Sequence, residues 1–412
     1  MMNEVTPGEM QHLVETLGAI GEQPGGGIVR PVYSAAWVAA SKQLSDWMRE
    51  AGLQVRQDAV GNLFGRIDGE SKRTVLTGSH FDTVKLGGRY DGALGVLSAL
   101  AALRALRPLG TPRKSLEMVA LCEEEGSRYH SNFWGTRGIL GLIEPSELQM
   151  LEDDDGVPIG DAMRHVGLPP EKYRDAIRED LDAFVELHIE QGRILYDEQR
   201  PLGVVSTITG LYRFLATVEG RTDHAGTTPM DLRRDAFQAA AEMSLAMTEV
   251  VDKVGRPAVL TTGYWDVQPG AWNIVPGAVR FGVDLRYPDE TIKQRLATEV
   301  RAVADHIASK RGVSVSYEVV GDVPPCDMDP RVRGAIEAAA DDLGIPHIPM
   351  VSGAGHDSQV MATRAPTAML FVPSHDGRSH SAAEFTTPED AARGATVLAH
   401  TLRRLVFEPV TS

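Results

Sequence analysis

The stretch RTVLTGSHFDTVKLGGRYDGALGVLSALAALRAL, from Arg73 to Leu106, contains signals for a strand, a loop and a helix in immediate succession. It opens with an apolar run typical of a buried strand, and from Gly92 onward the spacing of Ala, Leu and Val predicts a packed helix. The runs SLEMVAL from Ser115 and AFVELHI from Ala183 predict two more buried strands. This alternation predicts an α/β domain whose mostly parallel central sheet is flanked by helices.

The segment 211–321 follows a different order. Its apolar and amphipathic runs predict strand, helix, strand, strand, helix and strand, which is the βαββαβ order of a ferredoxin-like α+β unit. Helix and strand patterns of the first kind resume after it, with a helix from Pro330 and a last helix from Pro388. We therefore predict a catalytic domain formed by residues 1–210 and 322–412, interrupted by an inserted domain at 211–321.

Composition excludes several classes of protein. The formal net charge is −16, and Lys and Arg form no basic run, which argues against a nucleic-acid partner. Cys122 and Cys326 lie far apart and outside any CxxC pattern, which argues against a disulfide scaffold and a thiolate metal site. The N-terminal residues lack the apolar core of a signal peptide, and the most apolar stretch is too short to span a bilayer. We therefore expect a cytoplasmic protein that does not bind membranes.

Polar residues with metal-binding chemistry follow the first predicted strand. His80 and Asp82 occupy alternate positions at its end, and a glycine-containing loop then leads to Asp91 at the start of the helix. A ligating histidine commonly needs a carboxylate to orient its ring, and Asp82 is close enough in sequence to do so. A helix N-cap at Asp91 and an ordinary hydrogen-bonded histidine at position 80 explain the same pattern equally well.

Three other clusters are weak signals when each is taken alone. The acidic run at Glu123, Glu124 and Glu125 ends a predicted strand, and such runs are more often solvated turns. His188 lies in an apolar strand, where a histidine is more often part of the core than a ligand. His380 follows another buried strand in the loop SHDGRSHSAAEF.

Taken together, the clusters indicate a metal centre. They supply a ligand set of nitrogen and oxygen donors, which suits Zn, Mn, Co or Ni: His80, Asp91, Glu125, His188 and His380. With one carboxylate shared, five side chains can hold two divalent ions and leave positions open for water.

The chain also resembles a known family. The motifs GSHFDTV, YDGALGV, EEEGSR, LHIEQG, GRTDHAGTTPM, NIVPG and HSAAEF occur in order over nearly the whole chain. In this it is similar to the amidase/hydantoinase/carbamoylase branch of the superfamily that contains zinc aminoacylases, carboxypeptidases and dipeptidases. That branch includes N-carbamoyl-L-amino acid and allantoate amidohydrolases, so the resemblance implies hydrolysis of a C–N bond outside peptides.

The resemblance implies a place for each ligand. Asp91 would bridge two metal ions. His80 and His188 would complete one metal site, and Glu125 and His380 would complete the other.

It also implies catalytic and substrate-binding roles. Glu124 would be the general base, and Glu123 receives no role. The inserted domain would be a lid and a homodimer interface, with His224 reaching the active site of the neighbouring subunit to stabilise an oxyanion. Asn273 and Arg286 would hold a substrate carboxylate, with Gln191 as a further contact, which would explain how an acidic protein binds a small anionic substrate.

Three functions therefore remain open from the sequence. The first is hydrolysis of a ureido or N-carbamoyl group on a small carboxylic acid, such as an N-carbamoyl-L-amino acid or allantoate. The second is an aminoacylase or dipeptidase that uses the same metal centre. The third is a non-catalytic, anion-binding dimer, which loss of Glu124 or of a ligand would have favoured; all of these residues are present.

Overall fold

The computed structural model describes residues 2–409. Thirteen strands were found among these residues: β1 (Gln54–Gln57), β2 (Leu63–Ile67), β3 (Ser71–His80), β4 (Lys114–Leu121), β5 (Leu181–Ile189), β6 (Gly203–Ile208), β7 (Gly210–Glu219), β8 (Val259–Gln268), β9 (Ala278–Tyr287), β10 (Ser314–Val323), β11 (Cys326–Asp327), β12 (Ile348–Ser352) and β13 (Thr367–Val372).

Twelve α-helices accompany them in the same part of the chain: α1 (Pro7–Gly18), α2 (Ala35–Glu50), α3 (Ala93–Leu106), α4 (Trp134–Ile139), α5 (Glu147–Met150), α6 (Ile159–His165), α7 (Ile194–Asp197), α8 (Ala236–Asp252), α9 (Glu290–Arg311), α10 (Pro330–Asp342), α11 (Asp357–Met361) and α12 (Pro388–Phe407). Among these, no helix is both long and apolar enough to cross a membrane.

A nine-stranded sheet forms the larger part of the fold. Its order is β1-β2-β4-β3-β5-β13-β6-β11, with β12 paired to β6. The four central strands, β4, β3, β5 and β13, are mutually parallel, whereas β2, β6 and β11 pair antiparallel to their neighbours. The prediction of a mostly parallel central sheet flanked by helices is confirmed. All four parallel strands consequently end at one edge of the sheet.

Helices cover both faces of this sheet. Helix α3 is buried on every side except at Arg104, which explains why its sequence is apolar all round. It approaches β3 so closely that a Cβ at Gly95 would lie 2.7 Å from the Ser79 Cβ. Leu76 points to the opposite face, because side chains alternate along a strand, and packs in a cluster with Ile139 of α4 and Met361 of α11.

Residues Thr207–Asp327 form a second compact unit. Its antiparallel sheet has the order β10-β7-β9-β8, and α8 and α9 bury their apolar sides against β7 and β9. This is the predicted βαββαβ order. The predicted boundaries at 211 and 321 lie inside the unit.

The first helix of this unit, α8, begins at Ala236. Asp235 caps it, because its carboxylate accepts hydrogen bonds from the N–H groups of Phe237 and Gln238.

Candidate metal centre

The ends of the four parallel strands bring the metal-binding side chains together. His80 is the last residue of β3, and His188 lies at the end of β5. The acidic run follows β4, and the loop that carries His380 follows β13. Strands adjacent in the sheet thus supply residues that are up to 300 positions apart in sequence. This is the edge of an open α/β sheet at which ligands bind.

The Asp91 carboxylate lies between two groups of donors. Its Oδ1 is 3.5 Å from His80 Nε2 and 3.3 Å from His188 Nε2. Its Oδ2 is 3.3 Å from His380 Nε2, which is itself 3.6 Å from Glu125 Oε1. Of the four groups of possible metal donors among residues 2–409, two share Asp91, namely His80–Asp91–His188 and Asp91–Glu125–His380. The other two are His80–Glu124–Glu125 and Glu186–His188–His356.

The spacing of these donors fits divalent ions. Two ligand atoms at about 2.1 Å from a tetrahedral ion are about 3.4 Å apart, by the geometry of the tetrahedron. The separations of 3.3–3.6 Å in both groups match that edge length. A carboxylate with one oxygen in each group can bridge two ions, as in two-metal hydrolases.

The backbone around Asp91 leaves no room for a side chain. Gly92 has φ 62°, and a Cβ there would lie 2.3 Å from His80 Nε2. The N-cap position of α3 belongs to Gly92 and lacks a capping side-chain hydrogen bond. Asp91 is therefore not the ordinary helix cap that the sequence also allowed, and its carboxylate faces the three histidines.

Asp82 orients its neighbours in a different way from the prediction. We expected its carboxylate to hold the His80 ring, but Nδ1 lies 3.8 Å from Asp82 Oδ1 and only 3.1 Å from the Asp82 main-chain oxygen. The carboxylate instead accepts hydrogen bonds from the N–H groups of Glu124 and Glu125, each at 3.2 Å. Asp82 thus holds the backbone of the acidic run beside His80.

Glu123 now has a structural role. Its φ of 51° turns the chain sharply after β4, and its Oε1 accepts hydrogen bonds from the N–H groups of Arg128 and Tyr129. The three acids consequently differ in function: Glu123 holds a turn, while Glu124 Oε2 lies 3.8 Å from His80 Nε2 and Glu125 faces His380. The alternative of a solvated acidic turn does not hold, since Glu123 and Glu124 are buried.

The close packing of these ionisable side chains shifts their pKa values. Burial raises the pKa of Glu124 well above its usual range, an effect that His80 opposes and Glu125 strengthens. Burial likewise raises the pKa of Glu125 to about 7. Burial would also raise the pKa of Asp91, but hydrogen bonding to His188, His380 and His80 holds it well below its usual value. The hydrogen bond to Asp91 raises the pKa of His380 to about 9.

Other residues contact the same carboxylate. Gln191, predicted as a substrate contact, has φ 59° and donates from Nε2 to Asp91 Oδ2 at 2.7 Å. Ser379 donates to the same oxygen at 2.8 Å, and Glu384 accepts from the Asp91 N–H at 2.9 Å. Sequence analysis missed Ser379 and Glu384, although both lie in the loop that carries His380.

His224 and Asn273 are neighbours within the second unit. An isolated β-bridge joins His224 to Ile274, and the Ala225 N–H donates to the Asn273 main-chain oxygen. His224 is exposed, and its Nδ1 accepts the Gly226 N–H at 3.0 Å. A neutral imidazole with this hydrogen bond carries its proton on Nε2, which can donate to an oxyanion.

Arg286 lies at the other end of the same sheet. The loops with His224 and Asn273 adjoin Glu219, Gln268 and Ala278, which pair with one another, whereas Arg286 pairs with Leu211 and Val259. At about 3.4 Å per residue, the stretch of β9 from position 278 to 286 spans roughly 27 Å. Asn273 and Arg286 of one chain therefore cannot grip the same carboxylate, and their predicted pairing stays a prediction that requires two chains.

Arg286 is already oriented by a carboxylate of its own strand. Nε and Nη2 donate to the two oxygens of Asp284, at 2.8 and 3.0 Å. Arg213 binds Asp284 from the adjacent strand at 2.7 Å. A guanidinium held along one edge in this way has a defined direction.

Comparison with known proteins yields a consistent set of relatives. The family described as Peptidase family M20/M25/M40 matches residues 76–404. An allantoate amidohydrolase of Bacillus subtilis is 37% identical over 397 residues, covering 96% of each chain. An N-carbamoyl-L-amino-acid amidohydrolase of Paenarthrobacter aurescens is 40% identical over 386 residues, covering 92% of this chain and 94% of the relative. Among solved structures, an amidase of the hydantoinase/carbamoylase family from Burkholderia multivorans superposes with a TM-score of 0.92 at 34% identity, covering 99% of both chains.

Substitution of Glu124 and substitution of Glu125 should have different effects on metal content. Glu125→Gln removes an anionic donor from the Asp91–Glu125–His380 group, so we expect it to retain about one ion per chain where the wild type retains two. Glu124→Gln keeps both donor groups and should retain two. Elemental analysis after removal of free metal measures the difference. If the two variants exchange these results, the assignment within the acidic run is shifted by one residue.

Proposed function

The chain belongs to Peptidase family M20/M25/M40, and we propose that it is a two-metal amidohydrolase that cleaves a ureido or N-carbamoyl group from a small carboxylic acid. The observation that carries this proposal is the pair of donor groups sharing Asp91, with Glu124 beside them. The similarity to allantoate and N-carbamoyl-L-amino acid amidohydrolases over nearly the full chain supports the ureido class. The overall reaction is R–NH–CO–NH2 + H2O → R–NH2 + CO2 + NH3.

The mixed set of imidazole nitrogen and carboxylate oxygen donors supports divalent Zn, Mn, Co or Ni. Two such ions would supply an activated water and polarise the scissile carbonyl. The chain itself would move the proton: Glu124 accepts it from the attacking water and returns it to the leaving nitrogen. The position of Glu124 suits both steps, because its Oε2 lies 3.8 Å from His80 Nε2, beside the donor groups where the water would be held.

The second unit would bind the substrate. Arg286, directed by Asp284, supplies a bidentate grip for the substrate carboxylate and offsets the negative charge of the protein. His224 donates from Nε2 to the oxygen that develops negative charge. Because the loops with His224 and Asn273 adjoin the end of β9 that lies roughly 27 Å from Arg286, by strand rise, one active site can use all three only if two chains contribute.

This separation supports a homodimer formed through the second unit. Strand β8 is an edge of its sheet and exposes Val259 and Tyr264, and the adjacent α8 exposes Phe237 and Leu245. Helix α9, which packs beside α8 on the same face of the sheet, exposes none of the large apolar residues among those described, whereas the other edge strand, β10, exposes Val319 and Val320. A second copy that pairs through β8 and α8 would bury this apolar surface isologously.

An ammonia-release assay tests the function. Purified enzyme is tested with allantoate, N-carbamoyl-α-amino acids, N-carbamoyl-β-alanine, N-acetyl amino acids and dipeptides. We expect turnover of ureido acids, loss of activity on chelation, and recovery with Mn²⁺, Co²⁺, Ni²⁺ or Zn²⁺. Turnover confined to N-acetyl amino acids or dipeptides would instead identify an aminoacylase or peptidase, and full activity after complete metal removal would contradict the two-metal mechanism.

Arg286→Lys tests the carboxylate grip. Lysine cannot form the fork, and a charge-assisted hydrogen bond contributes about 1.5–3 kcal/mol, so KM should rise about tenfold to a hundredfold. Metal content should stay at the wild-type value. Arg213→Lys is the matched control, since Arg213 binds the same Asp284 without serving the substrate, and its KM should be unchanged. An unchanged KM in Arg286→Lys would exclude Arg286 as the grip.

Mixed dimers test the shared active site. Glu124→Gln and His224→Ala should each be nearly inactive, because a general base contributes about 10²–10⁴-fold and an oxyanion donor about 10²–10³-fold. A heterodimer of the two variants has one site with both residues intact, so activity should recover to about half of the wild type by site counting.

The control heterodimer combines Glu124→Gln with Arg286→Ala. If Arg286 serves the active site of its own chain, both sites of this heterodimer are defective and no activity returns. Absence of recovery in the first heterodimer would show that His224 acts within its own chain.

A further inference from the structure

Glu384 is a buried carboxylate outside both donor groups that contacts Asp91 directly. Only 5% of the residue is exposed. Its Oε1 accepts hydrogen bonds from two consecutive main-chain N–H groups, those of Tyr90 at 2.8 Å and Asp91 at 2.9 Å. A single carboxylate thus holds the backbone at the shared ligand.

Ser379 extends this contact to the side chain of the ligand. Its hydroxyl lies 2.8 Å from Asp91 Oδ2 and 3.2 Å from Glu384 Oε2. Asp91 Oδ2 is the oxygen that faces His380, the residue after Ser379. Glu384 and Ser379 therefore join the Asp91 loop to the His380 loop at the position of the second donor group.

The two loops approach too closely for an additional atom. A Cβ at Gly88 would lie 2.2 Å from Glu384 Oε1, so the Asp91 loop runs directly against this side chain. The rings of Tyr90 and Phe385, which flank the contact, pack edge to face with centroids 5.9 Å apart. The two loops therefore contact each other both at Glu384 and at these flanking rings.

The two donor groups differ in what holds them in place. His80 and His188 are strand residues, paired in the sheet with Leu121 and Phe371 respectively, so backbone hydrogen bonding positions two of the three members of the first group. His380 lies in a loop with its side chain 51% exposed, and packing alone does not position it. The position of His380 instead depends on the hydrogen bonds through which Ser379 and Glu384 link its loop to Asp91.

We propose that Glu384 is a positioning residue that sets the second metal site, Asp91–Glu125–His380, by clamping the Asp91 loop to the His380 loop. The inference rests on the two-metal centre of the proposed function. Its removal should weaken the second ion more than the first, because the sheet fixes two of the three ligands of the first site, whereas Ser379 and Glu384 act at Asp91 Oδ2, the oxygen that faces His380. Loss of a residue that orients metal ligands typically lowers metal affinity about 10–100-fold.

Titration of metal-free protein with Co²⁺ tests this, followed by equilibrium dialysis and the visible absorption of the bound ion. Each bound Co²⁺ ion should give its own phase in the titration, and the phase that is lost in His380→Ala belongs to the second metal site. We expect Glu384→Ala to weaken that phase about 10–100-fold and to leave the other within about threefold. The metal-free variant should still unfold cooperatively, at a lower temperature than the wild type, because two main-chain N–H groups lose their acceptor. Glu384→Gln should restore wild-type binding, since its Oε1 still accepts both N–H groups and its Nε2 can donate to Ser379.

Glu190→Ala is the matched control. Its carboxylate also accepts hydrogen bonds from two main-chain N–H groups, those of Ile194 and Leu195, but these belong to α7, which follows Glu190 closely in sequence. Both Co²⁺ phases should be unchanged in this variant. If Glu384→Ala does not fold, Ser379→Ala decides instead, because it removes only the hydroxyl between the two carboxylates and should weaken the same phase.

The titration distinguishes failure of the proposed role of Glu384 from failure of the two-metal centre on which it rests. If the wild type shows two phases and Glu384→Ala leaves the phase of the second site unaltered, the proposed role of Glu384 is overturned. The two-metal centre then remains intact. Equal weakening of both phases, or failure of Glu384→Gln to restore binding, also overturns it. Fewer than two Co²⁺ ions per wild-type chain would overturn the two-metal centre itself, and this inference with it.

Discussion

The position of one carboxylate constrains the rest of the site. Asp91 presents Oδ1 to His80 and His188 and Oδ2 to His380, so both donor groups depend on it. The following residue, Gly92, has φ 62° and lies against the His80 ring, where a Cβ would clash. The loop between β3 and α3 therefore places a single side chain between two sets of ligands, and neighbouring loops must fit around it.

The buried acids around this point fall into two kinds. Asp82, Glu123 and Glu384 each accept hydrogen bonds from main-chain N–H groups, which compensates their burial and holds the backbone. Asp91 and Glu125 face histidines instead, as donors to cations do. Carboxylates this close together repel one another in a medium of low dielectric, and divalent ions between them would convert that repulsion into attraction.

Sequence patterns predicted residues whose position follows from one strand or one helix. His80 and His188 end apolar strands, and parallel strands must end at one edge of the sheet, so their proximity could be inferred. Contacts between distant loops could not be inferred. The link from Glu384 to Asp91 spans 293 residues, and nothing in the loop HSAAEF distinguishes a buried carboxylate from an exposed one. That Asn273 and Arg286 could share a substrate only across two chains could not be inferred either, because proximity in sequence does not show which end of β9 each lies near.

The sequence by itself determined the alternation of strands and helices, the inserted βαββαβ unit and the chemistry of the ligand set, because these depend on local periodicity and residue type. Only the tertiary structure decided which atoms of Asp91 face which histidine, and that the Asp82 carboxylate holds the acidic run and not the His80 ring. It also decided that Arg286 and His224 lie at opposite ends of one sheet. These features depend on strand order, register and loop contacts, which residue patterns along the chain do not encode individually.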